Sequence, residues 1–236
     1  MLRHPARGRA FSLIELLVVI AVISLLLSVL VPSLRRARST AARVACLHNL
    51  RQLGLSIDMY ATDNDSVYPC AQDPVSTDPP YWLWMGRGFR RWIEPYLSSI
   101  VDPTNPSVLL CPADATDPAK YESTSYAYSM AFYHSPAQID AMDEPADSYS
   151  NPVPSIPQRL GSVTSPAAKI LLGEWLSNHV PVEGDTGWWC WKGARCFLTA
   201  DGRAAFVDAN DIRPAGDNLP DANLTVQGIQ GRDLDF

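Results

Sequence analysis

The chain has 236 residues, 47% of them apolar, which is room for a membrane helix followed by one large domain or two small ones. Its charge is divided: residues 1–51 carry eight arginines against one acid, net +7, while residues 52–236 carry eleven Lys and Arg against twenty-four acids, net −13. An acidic body of this kind repels phosphate, which argues against a nucleic-acid partner, and the basic N-terminal part suits anionic lipid headgroups.

From Phe11 to Val31 the only charge is Glu15, and the hydroxyls are Ser12, Ser24 and Ser28. As a helix this run covers roughly 30 Å, the thickness of a bilayer's hydrocarbon core. Pro32 and the cluster Arg35, Arg36, Arg38 and Arg43 follow it. A secretory signal would have a shorter apolar core and a small-residue cleavage site, and a lipoprotein cysteine would directly follow the run, whereas Cys46 lies beyond four arginines. Arginines at both ends leave the orientation open by charge alone. A carboxylate at the centre of a membrane helix costs about 2.5–3.5 kcal/mol, and less near the end. Glu15 therefore either reaches back to the headgroups while favouring the helix dipole, or it has a function.

Beyond Pro32, the residues Leu34, Ala37, Ala41, Val44, Leu47, Leu50, Leu53, Ile57 and Tyr60 recur at helical spacing. Pro32 is expected to kink the helix rather than end it. Thr62 to Ser66 and Pro69 stop it, giving about fifty residues and about 75–80 Å in all. Residues 71–80 read as a loop. Residues 81–97 read as an interrupted helix whose Trp82, Trp84 and Trp92 pack on the long helix rather than form a sugar platform. Ile100 to Pro106 is loop, Val108 to Asp114 a short strand leading into a turn, and Tyr126 to Phe132 a strand by alternation. Residues 135–158, with five prolines, read as a mobile loop. Lys169 to Trp175 is the strongest strand. Arg195 to Asp208 reads as a hairpin turning at Asp201-Gly202, expected as a type I′ turn with positive φ at both positions. The tail 209–236 is polar and is expected to wrap the surface.

Ala10-Phe11-Ser12-Leu13-Ile14-Glu15-Leu16-Leu17-Val18-Val19-Ile20 resembles the class III signal of type IV pilins and type II secretion pseudopilins. The resemblance implies an α+β, pilin-like fold: a long N-terminal helix, membrane half plus amphipathic half, packed on a small antiparallel sheet. It divides the chain into a leader at 1–10, a transmembrane and filament-core half at 11–31, an amphipathic half at 32–63 and a globular domain at 64–236. It also implies a prepilin peptidase that cuts between Ala10 and Phe11 and methylates Phe11, with Ala10 standing where the family usually has glycine. The chain would be single-pass in the inner membrane with its domain outside the cytoplasm, and its partners would be like subunits and other pseudopilins. Glu15 would pair with a neighbour's terminal amine in the filament, where removing either partner strands a buried charge.

Residues 43–69, with Cys46, Asn49-Leu50-Arg51-Gln52-Leu53-Gly54, Tyr60, an acidic turn and Pro69, are similar to the helix end of a pseudopilin-like group. That group also tends to have a stretch like Val108 to Asp114. Its terminal motif places a His ten residues before an Asp-Gly hairpin; Trp191 occupies that position here.

Five cysteines lie beyond the apolar run, at 46, 70, 111, 190 and 196. In an oxidising compartment they favour bridges over metal, and no Cys-x-x-Cys supports zinc. Cys46–Cys111, tying helix to sheet, and Cys190–Cys196, across a local bend, are the expected pairings, against buried free thiols. His179 with Glu183 and Asp185 lacks ligand spacing. Asp63-Asn64-Asp65 lacks the glycine and distal glutamate of a calcium loop. Asp201, Asp208, Asp211 and Asp217 are calcium candidates, with solvated turn acids as the default and no cofactor expected. Nucleophile elbows, phosphate loops and zincin motifs are absent. Two function classes compete: a structural pilin-like subunit, and a membrane-anchored binding domain or enzyme with Trp188-Trp189-Cys190-Trp191 as a carbohydrate surface. The lack of convergent titratable groups in the sequence favours the structural, non-enzymatic class.

Overall fold

The computed structural model describes residues 13–70, 87–97, 107–116, 124–148 and 153–235. Helix α1 runs Leu13–Asp63, 51 residues with Pro32 inside it. It ends where Asp65 and Ser66 turn to positive φ and the Ser66 amide donates to the Ala61 carbonyl. The chain divides into two units, residues 1–41 and 42–236. In the first, every residue from Leu13 to Ala41 is exposed, including the large apolar side chains from Leu13 to Leu34.

The second unit is built on an antiparallel sheet in the order β1 (Tyr126–Tyr128), β2 (Ile170–Glu174), β3 (Ala194–Thr199), β4 (Ala204–Asp208). β2 and β3 are buried throughout, so their sequences are apolar runs rather than strict alternations. The C-terminal part of α1 buries Cys46, Leu50, Leu53, Gly54, Ser56, Ile57 and Ala61. At Gly54 it comes so close to β3 that an added Cβ would lie 2.6 Å from Leu198 Cδ2. The α+β, pilin-like arrangement of long helix and antiparallel sheet is therefore present.

Several local expectations are corrected. Val108 to Asp114 forms turns, not a strand; Asn49 Nδ2 on α1 donates to the Leu110 carbonyl, and the Cys111 amide donates to Ser125 Oγ. Only Tyr126–Tyr128 is strand, because Ser129 caps a 3-10 turn at Met130–Phe132. The segment after Ser135 is not simply loop: Ser135 and Gln138 form a reciprocal capping box on the one-turn helix α3 (Pro136–Ile139). Helix α2 (Arg87–Ile93) continues as a 3-10 turn to Tyr96, while Trp82 and Trp84 lie outside the described residues.

The hairpin turn is not type I′. Three residues, Ala200 to Gly202, connect Thr199 to Arg203, the Gly202 amide donates to the Thr199 carbonyl, and of the turn residues Gly202 alone has positive φ, +82°. A three-residue loop of this kind is a type I turn closed by a left-handed residue, and it leaves Asp201 in an ordinary conformation. The tail does more than wrap the surface. Leu224, Ile229 and Leu234 enter the core, and Asp233 pairs with the buried Lys169 at 3.0 Å while accepting from the Ile170 amide at 2.6 Å.

Candidate functional site

Two places carry functional groups. The first is the N-terminal segment. Ala10 and Phe11 lie outside the described residues. Glu15 stands in the first turn of α1 and is the only ionisable residue between Leu13 and Val31. Ser28 donates its hydroxyl to the Leu25 carbonyl at 2.7 Å and Ser33 to Leu30 at 2.8 Å. Returning hydroxyls to the backbone spares an apolar environment an unpaired polar group. This stretch of α1 is long and apolar enough to cross a membrane.

The second place lies where α1, the turn before β1 and the end of β2 meet. Cys46 of α1 is joined to Cys111 by a disulfide, Cα to Cα 5.1 Å. Glu174, the last residue of β2, is fully buried, and His179 follows in the next loop with a side chain only 3% exposed. His179 Nε2 lies 3.3 Å from Glu174 Oε1 and 3.5 Å from Cys111 Sγ. Glu174 also accepts from the Cys196 amide at 2.8 Å and from Asn178 Nδ2 at 3.1 Å. Ligand atoms of Cys46, Cys111, Glu174 and His179 all lie within 4.8 Å of one another, and this is the one such group among the described residues. His179 Nδ1 is buried without a hydrogen-bond partner. Its ring stands edge-on to Phe206, over which the Arg43 guanidinium sits at 4.8 Å.

The other candidates do not assemble. Cys190–Cys196 is not formed. Adjacent strand residues face opposite sides of a sheet, and Cys190 gathers around Arg195, its Sγ 3.6 Å from that guanidinium, so Cys196 points the other way. Burial and the Glu174 carboxylate push the Cys196 thiol up. His179 does not meet Glu183 and Asp185; Glu183 is exposed, and Asp185 pairs with Arg195 at 2.7 Å. The calcium candidates stay apart. Asp201 accepts from the Arg203 amide, Asp208 from Asn210 and Asp217 from the Leu219 amide, while Asp211 is exposed.

Trp188, Trp189 and Trp191 form no exposed platform: Trp188 is buried and donates to the Glu174 carbonyl, Trp189 donates to Asp221, and Trp191 donates to the Asn218 carbonyl. Sequence reasoning passed over Glu174, which reads as a strand end. The only signal it gave was an acid closing a run of buried apolar residues.

Residues 6–31 match the model of the prokaryotic N-terminal methylation motif, so the chain carries a prepilin-type signal on a membrane-anchoring helix. No curated protein matches the chain, and no solved structure does.

Proposed function

We propose that the chain is a structural subunit of a type IV pilus or a type II secretion pseudopilus and not an enzyme. In this reading prepilin peptidase cuts after Ala10 and methylates Phe11. The 11–31 helix holds the subunit in the inner membrane, its domain outside the cytoplasm, until the same helix enters a filament of like subunits and other pseudopilins. The observation that carries it is the methylation motif running directly into a helix whose described residues up to Ala41 are all exposed. Such a surface needs lipid or other helices around it. In this reading Glu15, the one acid in the first turn of that helix, pairs with a neighbour's terminal amine.

The test is Glu15→Val. It leaves insertion and cleavage intact, since valine suits lipid, but removes the pairing group. Shear-released filaments are lost while the processed subunit stays in the membrane fraction. Normal filament yield from the variant refutes the pairing.

A further inference from the structure

The Cys46–Cys111–Glu174–His179 cluster has more chemistry than a disulfide needs. A bridge requires two sulfurs; here a fully buried carboxylate and a buried imidazole also converge on it. We infer that in its dithiol form the chain binds a zinc-class ion tetrahedrally through Cys46 Sγ, Cys111 Sγ, Glu174 Oε1 and His179 Nε2.

The distances support this. Usual zinc bond lengths, about 2.3 Å to sulfur and 2.0–2.2 Å to nitrogen or oxygen, give tetrahedral ligand–ligand edges of about 3.5 Å for sulfur–nitrogen and about 3.4 Å for nitrogen–oxygen. Cys111 Sγ to His179 Nε2 is 3.5 Å, and His179 Nε2 to Glu174 Oε1 is 3.3 Å. Two edges of the tetrahedron are thus already at their final length. The two sulfurs separate to about 3.8 Å once they are no longer bonded to each other, and the remaining edges start from within 4.8 Å.

Two thiolates, an imidazole and one carboxylate suit a borderline-soft ion and disfavour calcium or magnesium. Binding releases the two thiol protons to solvent, leaving two thiolates and a carboxylate around a divalent ion, a net charge of −1. Arg43, beside Phe206 and acting electrostatically on the neighbouring Cys196, is the nearby cation that offsets it. The donors come from α1, the turn before β1 and the end of β2, so the ion braces the same elements as the disulfide. Either linkage ties the helix to its domain.

The full-length chain in detergent, reduced anaerobically with a phosphine, is titrated with cobalt(II). Expected are one equivalent bound per chain, a thiolate-to-cobalt charge-transfer band with the visible bands of a tetrahedral ion, and displacement by zinc. The disulfide form shows none of these. His179→Gln and Glu174→Gln each weaken binding by more than about tenfold, and Cys46→Ser removes most of the charge-transfer band. Cys190→Ser, whose sulfur sits by Arg195 and not in the cluster, changes nothing. A reduced chain that binds no cobalt, folded or not, overturns the assignment. So does binding that survives both His179→Gln and Glu174→Gln, or that is lost in Cys190→Ser.

Discussion

Gly54 of α1 and Leu198 of β3 fix how closely the helix lies on its sheet: a Cβ at Gly54 would sit 2.6 Å from Leu198 Cδ2, and Leu198 is fully buried. The Leu198 side chain has no exposed space to swing into. Gly54→Val therefore destabilises the domain by about 1–3 kcal/mol, the usual cost of overpacking. Alanine is the subtler probe, because its helix propensity returns about 1 kcal/mol of the strain. Leu198→Ala vacates the space, so Gly54→Val costs less in that background. Thermal unfolding of the four proteins measures the coupling; strictly additive effects would show that the two residues do not set the helix–sheet distance.

At the hairpin, Gly202 has open space around its Cα but φ of +82°, so side-chain volume is harmless there and backbone strain is not. Gly202→Val costs about 1–3 kcal/mol. Asp201 has an ordinary φ and accepts from the Arg203 amide at 3.1 Å and from the Thr199 hydroxyl, so Asp201→Ala costs about 1 kcal/mol through those bonds. Melting temperatures rank the two variants. Equal stability of wild type and Gly202→Val would contradict the turn described.

The same hairpin shows how far the sequence could be read. Asp-Gly between two apolar runs located the turn, but loop length depends on which residues pair across it, and Leu198 opposite Ala204 with Thr199 bonded to Arg203 leaves three residues for the connection rather than two. The helical stripe located α1, since Leu50, Leu53 and Ile57 are both periodic and buried. Gly54 and Ser56 are buried too, and neither follows from apolar periodicity. Of the two expected cysteine pairings only Cys46–Cys111 is formed; which side of the sheet Cys196 faces is not visible in the sequence. Glu174 and His179 were unreadable as a pair with those sulfurs. Their convergence needs the register of β2 against β3, and no motif encodes it.

His134 is buried, and burial holds its imidazole down at about 4 from the usual 6.5, partly offset by a hydrogen bond with Gln138. Between these values the unfolded chain binds the proton and the folded one does not. Stability is therefore full above about 6.5 and is lost as pH falls towards 4, by up to about 3 kcal/mol. Asp221 acts oppositely: burial and Asp217 raise it from 3.8 to about 7, so its contribution is present below 3.8 and lost as pH rises through about 7. Comparing wild type with His134→Leu at each pH cancels the Asp221 effect. Denaturant titrations from pH 7 to 4 should show the difference between the two proteins shrinking in favour of the variant as pH falls. A constant difference would mean that His134 titrates normally.

Mass spectrometry of the N-terminal peptide from the membrane-extracted protein tests the central claim, a prepilin-type subunit, most directly. Expected are a mature chain that begins at Phe11 with a methylated amine, and accumulation of the uncut form when prepilin peptidase is absent. An intact Met1, or a cut near Ser33, would contradict it.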